Sequence, residues 1–214
     1  MVTLGPARVA PGVWLVCSAR RGAAPSRHPA DLEAGAALSG RRAVEFLSGR
    51  GLLRSLVDAV APEARDAAVL PGPKGRPVVA GFPRLGVSIS HDGDLVAAAV
   101  AAGQVVGVDV QYPQERVDPG MLRRCLHEHA DAVSHLAVRD QAEEMAWVWA
   151  VQESCVKAQG SGLSGRPWRI PVRPGSRGGK WHGYSWLSLR DLSTVPLACA
   201  FADASAADPV EGTP

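Results

Sequence analysis

Val105-Val-Gly-Val-Asp-Val-Gln111 alternates along its length, so Val106, Val108 and Val110 fall on one face of a strand and Gly107, Asp109 and Gln111 on the other. The segment predicts a strand with one dry face and one face that carries a carboxylate. Burying an unpaired charge is costly, so Asp109 must meet a cation, a metal ion or hydrogen-bond donors; otherwise it stands on an edge strand facing water or an arginine. The strand alone leaves these alternatives open.

Working outward from it, Val87–His91 reads as a strand ending in polar residues, and Val96–Val100 pairs with Val105–Val110 as a hairpin across Ala102-Gly-Gln104. Val9–Cys17 reads as one short strand. Pro29–Val60 carries apolar residues at three- and four-residue spacing, which predicts a helix with Gly49 and Gly51 as weak points. Pro71-Gly-Pro-Lys-Gly-Arg-Pro77 is turn chemistry. Downstream, Pro119–His135 and Asp140–Gln159 read as helices, the second with Asp140 as N-cap, Glu143 completing a capping box and Gly160 at the left-handed position past its end. Trp168–Val172, Trp181–Leu189 and Val195–Phe201 follow as three strands of a meander, and the tail from Ala204 reads as frayed. This order of elements suits an α+β fold.

The chain has 214 residues, 46% apolar and 21% charged, enough to bury a core, which excludes a disordered or collagen-like class. Its net charge of +2 gives no ground for a nucleic-acid or membrane partner. The distribution is uneven: residues 1–76 hold 11 Lys and Arg against 6 Asp and Glu, so an anionic ligand is expected on the amino-terminal third. Cys17, Cys125, Cys155 and Cys199 match no zinc or redox spacing and are read as reduced. With no export signal in Met1–Cys17 and no long uncharged apolar run, a cytoplasmic location is expected.

Two further stretches carry candidate chemistry. In Trp149-Ala-Val-Gln-Glu-Ser-Cys-Val-Lys157, Glu153 and Lys157 lie four apart on one helix face, in line with Met145, Trp149 and Val156. An ordinary surface Glu–Lys pair contributes only ~0.3–0.5 kcal/mol, but an acid in line with an apolar stripe calls for a purpose. In Ser88-Ile-Ser-His91, alternation sends Ser88 and Ser90 to one side and His91 to the other. Arg50 and Arg54 share a helix face and suit a phosphate as well as they suit solvent.

Taken in order, these pieces resemble the Sfp-type 4′-phosphopantetheinyl transferases. That family is marked by a Gly-Lys-Pro turn, a strand ending in Ser-His, a Gly-Val/Ile-Asp strand with Glu two residues on, and a Trp-x-x-Lys-Glu-[Ser/Ala]-x-x-Lys helix ending near Gly. Here they stand as Gly75-Arg76-Pro77, Ser90-His91, Gly107-Val108-Asp109 with Gln111, and Trp149 to Lys157 with Gln152, Glu153 and Ser154, between about Arg41 and Leu163. The resemblance implies two similar α/β halves packed as a pseudo-dimer, 1–107 and 108–214, each with a mainly antiparallel sheet and a long helix, the site between them and the molecule a monomer.

The activity implied is transfer of the phosphopantetheine arm of coenzyme A to a serine of an apo acyl or peptidyl carrier protein, with Mg²⁺ as cofactor and adenosine 3′,5′-bisphosphate released. By the match, Asp109 and Glu153 are the metal ligands, with Gln111 where many relatives have a third acid. Glu153 is also the base, and Lys157 reaches the phosphates. Ser90, His91 and Arg76 contact the nucleotide, and Arg42, with Arg50 and Arg54 as rivals, meets the 3′-phosphate. Gln152 replaces the motif's first lysine and is read as peripheral. Arg116, Arg123 and Arg124 with Met121 and Leu122 form a docking patch for an acidic carrier. Three other readings compete. Ser154-Cys-Val-Lys157 fits an S-x-x-K nucleophile motif, His127-Glu-His129 suggests a metal, and a non-catalytic coenzyme A-binding or regulatory homologue remains because of Gln111 and Gln152.

Overall fold

A computed structural model describes residues 2–204; the tail beyond, read as frayed, lies outside the described residues. Pro11-Gly12 supplies a turn inside the first apolar run, so the segment read as one strand is the hairpin β1 (Val2–Ala10) and β2 (Val13–Ala19). Four more strands complete the first sheet: β3 (Val69–Pro71), β4 (Pro77–Val79), β5 (Leu85–Asp92) and β6 (Leu95–Ala102). Their order is β1-β2-β6-β5-β4-β3, antiparallel throughout. A second antiparallel sheet holds β7 (Gln104–Val110), β8 (Gly178–Trp181), β9 (Tyr184–Ser188) and β10 (Leu197–Asp203) in the order β7-β10-β9-β8.

The expected hairpin between residues 96 and 110 does not form. β6 pairs with β2 and β5, while β7 leaves at Gly103 for the other sheet, where it pairs with β10. The reason is burial on both faces of β6: Val96, Ala98 and Val100 face a helix, and Leu95, Ala97, Ala99 and Ala101 face the valines of β7. A strand buried on both sides reads as a continuous apolar run, and its neighbours cannot be told from the sequence.

The region read as one helix from Pro29 is two, α1 (Pro29–Ala36) and α2 (Gly40–Val60), and α2 runs unbroken through Gly49 and Gly51. Pro119–His135 is likewise divided: α3 (Pro119–Leu126), capped by the Asp118 side chain, a 3₁₀ turn at His127–His129, and α4 (Ala130–Ser134). α5 (Val138–Gln159) starts at Ala137, ahead of the expected cap Asp140, and ends on Gly160 in the left-handed region at φ 76°, with Ser161 N–H donating to Val156 O. Trp168–Val172, read as a strand, is none: it begins inside the 3₁₀ turn Pro167–Arg169, and Pro167 has no amide hydrogen for a ladder.

The layers are helix, sheet, sheet, helix. Leu53, Leu56 and Val57 of α2 cover Val87 and Val100 on the outer face of the first sheet. Val148, Val151 and Val156 of α5 cover Ala198, Ala200 and Trp186 on the outer face of the second. Between the sheets, Leu15, Ala97 and Ala99 meet Val106, Val108, Val110 and Leu197. Burying each valine or leucine contributes about 1.5–3 kcal/mol, so the sheet-to-sheet contact is a third core and fixes how the two helix-backed sheets face one another. No helix among the described residues is long and apolar enough to cross a membrane. Cys125, Cys155 and Cys199 are buried thiols, pushed up by burial to about 11, 12 and 12.

Candidate active site

β7 is an edge strand, so its outward amides need acceptors. β5 provides them from the other sheet: Val108 N–H donates to Ser88 Oγ at 3.0 Å and Val110 N–H to Ser90 Oγ at 3.3 Å. The two strands run side by side in the same direction, and Gly86 gives Gln104 O the room a Cβ would occupy. The alternation of Ser88 and Ser90 thus has a structural use, which joins the two sheets, before it has a chemical one.

Ser90 Oγ also donates to Asp109 Oδ1 at 2.7 Å, and Gln111 Nε2 donates to Asp109 Oδ2 at 2.7 Å. Lys157 Nζ makes three contacts, with Asp109 Oδ1 at 2.5 Å, Ser90 Oγ at 3.0 Å and Val108 O at 3.2 Å. Asp109 is 2% exposed, and this set of donors answers the cost of burying it. Lys157 reaches it because α5 lies directly on β7 at Gly107. A Cβ there would stand 2.1 Å from Ser154 O and 2.9 Å from Lys157 Cβ, so only glycine admits the helix.

Glu153, one turn before Lys157, is partly buried and makes no hydrogen bond or ion pair among the described residues. Burial pushes its carboxyl up, the negative charge of Asp109 pushes it the same way, and Lys157 opposes. The two acids, 44 positions apart in sequence, therefore share one electrostatic site with the Lys157 ammonium, which pairs with Asp109.

The expected nucleotide contacts are spread more widely. His91 is exposed at the end of β5, near Glu45 of α2, which Arg41 and Arg20 hold at 2.5 and 3.4 Å. Arg42 is exposed. Arg50 and Arg54 turn inward instead: Arg54 Nε pairs with Asp31 Oδ2 at 2.5 Å, while Arg50 Nη1 donates to Val69 O at 2.9 Å and lies over the Phe46 ring. Burial works to raise Asp31, but hydrogen bonds from Arg54 and Ser26 outweigh it and hold the carboxyl low. These two arginines tie α2 to α1 and to the segment before β3.

Arg76, in the turn between β3 and β4, lines a cleft of about 1070 Å³ whose far wall is the end of α5 and the β8–β9 hairpin, with Trp181 and Tyr184. The sequence reading missed both aromatics, because only the sheet order brings that hairpin opposite Arg76. A smaller groove of about 200 Å³ begins at Gln111 and runs between α3 and α5 past Met121, Met145 and Trp149. Met121, which lines it, is exposed, as are Arg123 and Arg124 on α3, but Leu122 is 8% exposed and belongs to the core, which removes it from the expected patch. Gln152 is fully buried, not peripheral: its amide donates to Cys125 O and Ile170 O, both at 2.9 Å, tying α5 to α3 and to the 3₁₀ turn after it.

Two competing readings lose their geometry. Ser154 is fully buried and donates to Val151 O, so it is no nucleophile for Lys157 to activate. His127 Nε2 pairs with Trp168 O, and no group of three His, Cys, Asp or Glu among the described residues is placed to hold a metal ion. A site built on Asp109 and Glu153 would therefore need its further ligands from Gln111, water or a substrate.

No curated protein matches the chain. Residues 105–188, from the strand of Asp109 through the helix of Glu153 and Lys157 to the end of β9, match the 4′-phosphopantetheinyl transferase superfamily.

Proposed function

We propose that the protein moves the 4′-phosphopantetheine arm of coenzyme A to a serine hydroxyl of an apo acyl or peptidyl carrier protein, as an Sfp-type enzyme, and releases adenosine 3′,5′-bisphosphate. The observation that carries the reading is the convergence of Asp109, Glu153 and Lys157 within the matched segment. The serine oxygen bonds to the phosphorus that bears pantetheine. The bond from that phosphorus to the bridging oxygen breaks, and the departing bisphosphate keeps the electron pair.

Glu153 suits the role of base: with its carboxyl raised by burial and by Asp109, it is a better proton acceptor than an ordinary carboxylate. It takes the serine proton directly or through a water. Lys157 supplies a point charge for the diphosphate and the leaving group. Ser90, bonded to both Asp109 and Lys157, fixes the two relative to each other.

The residues fit Mg²⁺, which takes oxygen ligands and usually keeps waters, so two carboxylates and phosphate oxygens suffice. Asp109, the unpartnered Glu153 and the amide oxygen of Gln111 would hold it, and an ion bound there neutralises charge that develops on the diphosphate. The two helix-backed sheets stand as the two halves of a pseudo-dimer within one chain. They already cover each other's apolar faces, which supports a monomer. The exposed Arg116, Arg123 and Arg124, with Met121 at the edge of the groove at Gln111, form the docking patch for an acidic carrier protein.

The test is to incubate the protein with coenzyme A, Mg²⁺ and an apo carrier protein and to look by mass spectrometry for the phosphopantetheine adduct. The adduct is expected with the wild type and nearly absent with Asp109→Ala and Glu153→Gln. A wild type that binds coenzyme A and yields no adduct rejects the reading in favour of a non-catalytic binding protein.

A further inference from the structure

Every second side chain of β5 reaches across to an amide of β7. Ser88 Oγ and Ser90 Oγ accept from Val108 N–H and Val110 N–H, and the series continues: Asp92 Oδ2 accepts from Tyr112 N–H at 2.6 Å. Each acceptor lies 20 positions before its donor, so three rungs keep the two strands in one register. The first two rungs are buried between the halves, Ser88 and Ser90 being 5% exposed each. The third lies past the end of β7 at Val110, on an exposed tyrosine.

Gln111 sits between the last two rungs. Its own N–H donates to Pro196 O at 2.9 Å, and Tyr112 is followed by Pro113, which has no amide hydrogen. Tyr112 therefore carries the last amide that can tie the strand before the chain leaves for α3. The β5–β6 turn is shaped to receive this residue. The Tyr112 hydroxyl donates to Asp94 Oδ1, and the ring lies against Gly93, where φ is 59° and a Cβ would stand 2.8 Å from two ring carbons; glycine alone meets both conditions. The turn is itself fastened to the first half, since Arg20 N–H donates to Asp94 O at 2.5 Å and Arg41 Nη2 to Gly93 O at 3.5 Å.

A hydrogen bond on an exposed residue competes with water and adds little to stability. Two of them on one tyrosine, with a glycine cleared for its ring, fix a position instead. What they fix is the neighbouring Gln111, whose Nε2 donates to Asp109 Oδ2 at 2.7 Å and so orients that carboxylate.

We infer that Asp92, Asp94 and Tyr112 are positioning residues: they clamp the end of β7 so that Gln111 holds Asp109 and presents its amide oxygen for a divalent ion. The inference rests on the transferase reading for that ion. The clamp touches no reacting atom and acts through Gln111.

The test is a Mn²⁺ titration of the full chain with coenzyme A present, read by water proton relaxation, alongside the transfer assay. Asp92→Ala should lower Mn²⁺ affinity roughly tenfold, as loss of a group that orients a metal's ligand does. Asp92→Asn keeps an oxygen for Tyr112 N–H and should restore affinity to within about twofold of the wild type. Tyr112→Phe keeps the ring over Gly93, loses the bond to Asp94 and should cost roughly threefold. In a Gln111→Ala background, Asp92→Ala should cost nothing further. Ser88→Ala, which removes a buried rung, should lower Tm and leave Mn²⁺ affinity unchanged, and so separates positioning from stability. Circular dichroism checks folding, and Tyr112→Phe, on an exposed side chain, carries the test if Asp92→Ala does not fold.

Wild-type Mn²⁺ affinity in Asp92→Ala or Tyr112→Phe overturns the inference. So does an Asp92→Asn variant no better than Asp92→Ala, the same loss with and without Gln111, an equal loss in Ser88→Ala, or a wild type that binds no Mn²⁺. Transfer to carrier protein that survives such a result leaves the function standing without the clamp. Clamp-dependent Mn²⁺ binding without any adduct leaves the clamp standing without the function.

Discussion

Asp109 accepts hydrogen bonds on both oxygens and pairs with Lys157, whereas Glu153 beside it has no partner among the described residues. The asymmetry has a consequence for stability. Burial and the Asp109 charge raise the Glu153 carboxyl above its ordinary 4.5, so the fold favours the protonated acid; that contribution is full below the unfolded value and is lost as pH rises through the folded one. Glu153→Gln, neutral at every pH, should therefore raise the Tm of the metal-free protein by a few degrees at neutral pH, with the difference closing below the ordinary carboxylate range. Thermal melts across pH would show it, and a variant less stable than wild type at neutral pH would contradict it. Gln111 poses the converse case. It donates to Asp109, and a neutral amide is a poorer Mg²⁺ ligand than a carboxylate. Gln111→Glu should tighten Mg²⁺ binding by roughly tenfold, about 1.4 kcal/mol, while lowering the metal-free Tm because a third acid then faces Asp109. Unchanged or weaker Mg²⁺ binding in a titration would reject this.

At the scale of elements, the site exists because α5 lies on β7 and β5 lies beside it. Gly107 permits the first contact, and the serines of β5 make the second. Gly107→Ala puts a methyl group 2.1 Å from Ser154 O, an overpacking that costs roughly 1–3 kcal/mol and lifts Glu153 and Lys157 off the strand. The expected result is a Tm lowered by roughly 2–4 °C per kcal/mol and transfer reduced at least tenfold; wild-type melting and turnover would refute the role given to the glycine. The alternation of residues 105–111 was readable because one face of β7 is all valine, while the other, under α5, carries Gly107, Asp109 and Gln111. The partners of β6 were not readable, since burial on both faces erases the alternation that would name them. The break after α3 was missed for a local reason: φ turns positive at His127, 51°, a position the sequence does not mark with glycine.

For the molecule as a whole, the acids and the lysine were legible because their spacing is local to one strand and one helix. Their convergence depends on the contact between sheets, and so do the cleft walls at Trp181 and Tyr184 that no spacing revealed. Arg50 and Arg54 mislead in the same way, since a helix face rich in arginine looks the same from the sequence whether it meets a phosphate or Asp31. The exposed Arg123 and Arg124 lie outside all these contacts except the stacking of Arg124 on Trp168. Replacing both with Glu should raise the KM for an acidic carrier protein about tenfold and leave coenzyme A binding unchanged; steady KM would remove the patch.

The central claim is that Asp109 and Glu153 grip one divalent ion over a diphosphate, and a Mn²⁺ titration followed by electron paramagnetic resonance with coenzyme A present tests it most directly. Asp109→Ala and Glu153→Gln should each lower affinity by at least roughly tenfold, and the double variant should bind no more weakly than the worse single one, because the two share a ligand. Wild-type affinity in either single variant, or losses that simply add, would contradict the account.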